Sequence, residues 1–134
     1  MKMKIKVVRR EKNYDKTKKS IRRQITEIVT YGLNSTRNTA VIGIAQGVKS
    51  GKVRPDGSRA SAEGEFPATD TGFLANNIVV KRDTDGLGGD VESRANYSSA
   101  LEFGTSKMGA RPFMQPSLDE NRPKIRTRLK RVFR

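Results

Sequence analysis

Four adjacent residues, Gly104-Thr105-Ser106-Lys107, are the first place where residue type and spacing suggest chemistry, because glycine, hydroxyls and a lysine together can cradle a phosphate. A P-loop requires Gly, four residues, then Gly-Lys-Ser/Thr, after a strand and at the opening of a helix. Here no glycine stands at that upstream spacing, Lys107 is followed by Met108-Gly109, and Arg111-Pro112 falls where the helix should begin. Lys107 reads as a loop lysine. The acids Asp83, Asp85, Asp90 and Glu92 lack the twelve-residue calcium-loop spacing and read as exposed turn acids. Glu102, beside Phe103, is expected to be partly buried in a structural ion pair with Arg111 or a residue of a basic end.

Cysteine and histidine are both absent from the 134 residues. That excludes disulfides, thiolate nucleophiles, Cys or His metal sites and imidazole acid/base catalysis. No cofactor is expected, and a small nuclease-like or toxin-like enzyme would have to run on unclustered acids. No RNP-type, KH-type or zinc-finger pattern occurs, and at 6% aromatic the chain has too few rings for base stacking to dominate. No apolar run approaches the roughly 20 residues needed to cross a membrane, and Met1 to Arg10 has no signal-peptide block. A protein without a membrane partner is expected.

The formal charge of +14 is unevenly placed. Residues 1–24 carry eleven Lys/Arg against two acids, and residues 121–134 carry seven against none, while the middle has ten against twelve. A near-neutral body with two basic ends points to a polyanion or an acidic protein face, with Lys2, Lys4, Lys6, Arg9, Arg10, Arg126, Arg128, Lys130 and Arg131 as the contacts. The competing account is that they are solvated faces.

These residues need elements to hold them. The alternation in Met1–Val7 predicts a half-buried edge strand guarded by lysines, in a basic arm over 1–15. Apolar residues at three-to-four-residue steps predict a long helix over 16–48, weakest and able to bend at Asn34–Thr39. Residues 49–72, with Pro55-Asp56-Gly57, read as a flexible loop that is disordered alone or ordered by a partner. Leu74 to Lys81 ends in a strand, Asp83–Gly89 supplies a hairpin turn, and Asp90–Tyr97 is the return strand. Tyr97–Phe103 reads as a short helix or a buried irregular segment. Over 114–134 a basic helix is expected, with a Ser117/Glu120 capping box and a kink or restart at Pro123. The sum is one α+β domain over 1–134. A small antiparallel or mixed sheet packs on a long N-terminal and a C-terminal helix, with sheet and joint over 73–113.

Two segments resemble a known family. "GEFPATDTGFLANNIVV" (64–80) is similar to a proline, then Asp/Thr-Thr-Gly-x-Leu-x-x-Ser/Asn-Ile stretch. "YSSALEFGTSKMGARPFMQPSLDE" (97–120) resembles a Glu-Phe-Gly-Thr stretch followed by Arg-Pro-Phe-(Leu/Met)-x-Pro-(Ala/Ser)-Leu. Order and separation also match the neck and tail-completion (tail-terminator, head–tail joining) family of tailed bacteriophages. About forty residues carry the specific motifs. Pro123 and the strongly basic ends depart from the common pattern.

The resemblance implies a non-enzymatic virion subunit, assembled in the host bacterial cytoplasm. It would form a ring, most often a hexamer, that caps the tail tube and docks a head-side connector or stopper protein, with packaged DNA a further contact. Glu102, Phe103, Gly104, Thr105, Arg111, Pro112 and Phe113, with Thr71, Gly72 and Leu74, would form the joint between subunits. Phe103 and Phe113 would be anchors in the core or at the seam. Gly104 would adopt a conformation closed to bulkier residues, and Arg111 would pin the turn by bonding carbonyls or Glu102. A sequence-independent nucleic-acid-binding protein is the alternative.

Overall fold

A computed structural model describes residues 1–7, 18–69 and 71–133. The elements are β1 (Lys2–Lys6), α1 (Lys18–Gln46), α2 (Phe73–Asn76), β2 (Ile78–Arg82), β3 (Gly88–Ser93), α3 (Ser98–Phe103) and α4 (Met114–Val132). The three strands form an antiparallel sheet in the order β1-β3-β2, which leaves β1 at an edge as its lysines suggest. The protein is α+β, with α1 and α4 on one face of the sheet.

Strand periodicity sets which side chains reach the core. On β1, Met3 and Ile5 face inward, Ile5 buried, while Lys2, Lys4 and Lys6 point to solvent. On β3, Val91 faces inward and Asp90 outward, opposite Lys4 and Lys81 in the register. Asp90 is nonetheless 7% exposed, with its carboxylate 3.5 Å from Lys2 Nζ and 3.8 Å from Lys4 Nζ. The β2–β3 hairpin turns as expected: Asp83 N–H donates to Gly88 O, and Leu87 N–H donates to the Asp85 side chain. The return strand runs Gly88–Ser93, not Asp90–Tyr97: it takes in the last two glycines of the expected turn and ends four residues early, so Tyr97 lies outside the sheet.

The long helix spans 29 residues, roughly 43 Å at 1.5 Å per residue. The expected weak section does not break it. Thr36 and Thr39 hydroxyls donate to the Gly32 and Ser35 carbonyls at 2.7 and 2.9 Å, and Asn121 Nδ2 of α4 donates to Thr39 Oγ1 at 2.9 Å. The stretch is polar because it receives a buried asparagine from the neighbouring helix. Antiparallel to α1, α4 then places Ile125 against Gly32 and Arg128 3.6 Å over the Tyr31 ring. α4 also continues through Pro123 without the expected restart. Pro123 is exposed, so the carbonyl it leaves unpaired at Asp119 faces water.

The loop over 49–72 is irregular, as its composition suggests, but its own contacts tie it down. Glu65 accepts from Ala62 N–H at 2.8 Å, Ser50 N–H at 3.0 Å and the Ser50 hydroxyl. Phe66 lies over Gly43 of α1, where a Cβ would collide with its ring, and Pro67 is buried.

Candidate functional site

Residues 97–115 form a rigid joint between α3 and α4. α4 starts at Met114, with Phe113 as its N-cap, so Ser117 is inside the helix and its hydroxyl donates to Phe113 O. The expected capping box does not form. In its place Glu102, at the end of α3, accepts the backbone N–H groups of Phe113 (2.8 Å), Met114 (3.0 Å) and Gln115 (2.9 Å). These are orphan donors of a helix start, and a carboxylate is the best acceptor for them because it also meets the positive end of the helix dipole. Pro116, third in the helix, has no N–H to leave unpaired.

Glu102 is therefore buried, as expected, but its partners are main-chain amides and not Arg111. Arg111 takes the other option left open for it. Its Nε and Nη2 donate to Ser61 O at 3.2 and 3.1 Å, and its Nη1 donates to Gly109 O at 3.0 Å. With Gly64 N–H donating to Ala110 O at 2.9 Å, the loop and the joint are laced together.

Gly104 sits at φ +76°, where L side chains are strained, and a Cβ there would stand 2.9 Å from Ala110 N and 3.0 Å from Met108 O. Its predicted role holds. Thr105 starts the tight turn that follows: its N–H donates to Met108 O at 2.8 Å and its hydroxyl accepts from Lys107 N–H at 3.2 Å. Gly-Thr-Ser-Lys is thus a turn, and the helix N-terminus nearest it already holds the chain's own carboxylate.

The two anchors separate. Phe113 is 0% exposed and belongs to the core, so it is not at a surface seam, while Phe103 is 74% exposed. Pro112 is half-buried between them. At the first motif, Thr71 Oγ1 accepts Phe73 N–H, Gly72 precedes α2 at φ +78°, and Leu74 is buried. Together the motifs wall a cavity of about 360 Å³. Pro67, Leu74, Leu101 and Met108 are its apolar lining, Arg54 and Arg111 its charges, and Phe73 and Tyr97 its aromatic rim, ring centroids 6.3 Å apart. Phe73 and Tyr97 were not singled out from sequence. Each lies inside one of the two quoted stretches, and their exposure (50% and 42%) is what marks them. Arg54 carried no signal at all.

The basic residues gather as well. Lys4, Ile5 and Lys6 of β1, with Val7 directly after it, line a groove of about 250 Å³ with Leu118, Arg122, Ile125, Arg126 and Leu129 of α4. On the other flank of α4, Tyr31, Lys124, Arg128 and Arg131 share a second depression. Lys130 is exposed beside them. Lys2 and Lys4 share Asp90, as described. Arg9 and Arg10 lie outside the described residues. Among the described residues, Arg122 and Lys124 were missed, because only the folded chain sets α4 against β1 on one flank and against Tyr31 of α1 on the other.

Among the described residues there is no group of three or more Asp or Glu placed to hold a metal ion, and no helix long and apolar enough to cross a membrane. Comparison of the chain with protein-family models, with curated proteins and with solved structures finds no match.

Proposed function

We propose that this chain is a non-enzymatic virion subunit that forms a ring at the head–tail junction of a tailed phage, capping the tail tube and joining it to the head. One observation carries the reading. The two stretches that resemble the neck and tail-completion family build one rigid unit, in which Glu102 and Arg111 fix the backbone and Phe103 stands out 74% exposed. A large apolar side chain held outward on a fixed backbone suits a contact between subunits better than it suits chemistry. Phe103 follows Leu101, which lines the cavity, by two helical positions, about 200° around α3, so knob and cavity face different ways. Such an arrangement supports a head-to-tail contact, which closes into a ring when its rotation divides the circle.

The ring is expected to be a hexamer, contacting a head-side connector or stopper protein on one side and the tail tube on the other. It would be assembled in the host bacterial cytoplasm. Analytical ultracentrifugation and negative-stain electron microscopy of the purified chain, with and without tail tubes, test the reading. Closed rings are expected, and Phe103→Asp should give a folded monomer. A chain that stays monomeric under both conditions overturns it. The second reading, a sequence-independent nucleic-acid binder, is favoured by the convergence of Lys4, Lys6, Arg122 and Arg126 on one groove.

A further inference from the structure

The groove between β1 and α4 is bordered by four consecutive residues, Lys4, Ile5 and Lys6 of β1 and Val7 directly after it. Successive side chains of a strand point to opposite faces, so a groove that meets all four lies along the strand's edge, not over a face. The ladder gives the same geometry independently. Val7 N–H donates to Leu87 O and Ser93 N–H donates to Met1 O, so the odd-numbered residues of β1 bond to β3. The main-chain N–H and C=O groups of Lys4 and Lys6 therefore point away from the sheet, into the groove. Among the described residues no strand pairs with that edge.

We propose that this edge accepts an extended segment of another protein as a fourth strand, and that the segment alternates acidic with apolar residues. One row of its side chains would continue the outer face, beside Lys4 and Lys6. The other would continue the inner face, over Ile125 and Leu129 of α4. Among the described residues no acid lines the groove, while Lys4, Lys6, Arg122 and Arg126 do. Lys4 and Arg122 also meet Asp90 and Asp119 outside it, and the net positive charge that remains along the groove favours an acidic guest. A second copy does not fit. The other free edge, β2, reads Ile-Val-Val-Lys-Arg, and the acidic strand β3 is central with both edges used.

The probe is a labelled (Glu-Val)₄ peptide, with (Lys-Val)₄ as control, read by fluorescence anisotropy against the full chain. Lys4→Gln removes the charge and with it one of the two lysines beside Asp90. Lys4→Pro removes the same groups and in addition an N–H that faces the groove, while leaving the β1–β3 ladder whole. Binding of the glutamate peptide alone is expected. Lys4→Pro should weaken it at least tenfold beyond Lys4→Gln. In unmodified protein, the Lys4 and Lys6 amides should gain protection from hydrogen exchange when the peptide is added, a readout that does not depend on a variant folding.

Equal loss in both variants, or displacement of the peptide by duplex DNA with no amide protection, overturns the proposal and makes the groove a general anion surface. Amides already fully protected without peptide also overturn it, because the chain then covers its own edge. The ring reading is tested separately: a monomeric Phe103→Asp variant should still bind the peptide.

Discussion

At the scale of single residues, Glu102 and the two phenylalanines of the joint carry distinct loads. Glu102 satisfies three buried or part-buried amides at once, so Glu102→Ala leaves a helix start without its acceptor. Loss of a cap costs about 0.5–2 kcal/mol, and burial of the unpaired amides places this variant at about 2 kcal/mol or slightly above. Urea unfolding followed by circular dichroism measures it, and an unchanged midpoint would remove Glu102 from the account. Phe113→Ala empties a core position and should cost about 3–5 kcal/mol. Phe103→Ala, by contrast, should stay within about 0.5 kcal/mol in the monomer and act on assembly instead. The same residues show what the sequence could reveal. Glu-Phe-Gly-Thr and Arg-Pro-Phe marked the joint, and with the resemblance they carried the glycine's conformation and, as one of two options, the arginine's carbonyl partners. Which phenylalanine turns inward did not follow, because that depends on where α1 lies. Nor did the cap, since local rules search three residues along the chain and Glu102 lies eleven to thirteen residues upstream of its amides.

Elements were legible where periodicity is long and unmixed, as in β1, α1 and the β2–β3 hairpin. They were misread where a side chain from another element changes the local balance. The Asn34–Thr39 segment is polar enough to suggest a bend, yet it stays helical because Asn121 uses its hydroxyl. The 49–72 loop reads as loose, yet it closes on the Glu65 carboxylate. Hydrogen bonds from Ala62 N–H, the Ser50 hydroxyl and Ser50 N–H, in that order of weight, hold Glu65 down to about 2 from its ordinary 4.5. A folded pKa below the unfolded one means a contribution that is full above about pH 4.5 and lost as pH falls toward 2. The loop should therefore loosen across that window before the helices do. Pepsin cleavage within 49–72 is followed by mass spectrometry and scaled at each pH to cleavage of an unfolded substrate, because pepsin's own activity changes over this range. The scaled rate should rise as pH falls from 4.5 to 2, and Glu65→Gln should lose most of that rise. A second prediction concerns the seat of Phe66. Ala normally stabilises a helix by about 1 kcal/mol over Gly, but Gly43→Ala would push the Phe66 ring off α1. Faster loop proteolysis with an unchanged or lower melting temperature is expected, and a plain gain in stability with an intact loop would contradict the packing.

Across the whole molecule, the described parts of the two basic ends come together at one pole. β1 runs toward its basic end beside the hairpin turn, α4 runs antiparallel to α1, and Arg22 near the start of α1 reaches Asp85 O in that turn at 3.2 Å. Lys6, Arg22, Arg126, Arg128 and Arg131 thus share one region, while the loop, the cavity and Phe103 are carried toward the far end of α1. The roughly 43 Å length of that helix separates the charge from the joint. If subunits join through the far pole, a ring arrays several basic poles around one axis, and a polyanion along that axis meets them together. Weak single contacts then add through effective concentration. At physiological salt, wild-type ring should bind duplex DNA far more tightly than the Phe103→Asp monomer, and the slope of log affinity against log salt should steepen on assembly, each phosphate engaged adding about 0.9. Gln in place of Arg126, Arg128 and Arg131 should flatten the ring's slope while leaving its sedimentation unchanged. A solitary nucleic-acid binder makes the opposite prediction: monomer and assembled protein would give the same affinity per subunit and the same slope, and anisotropy titrations over a salt series separate the two.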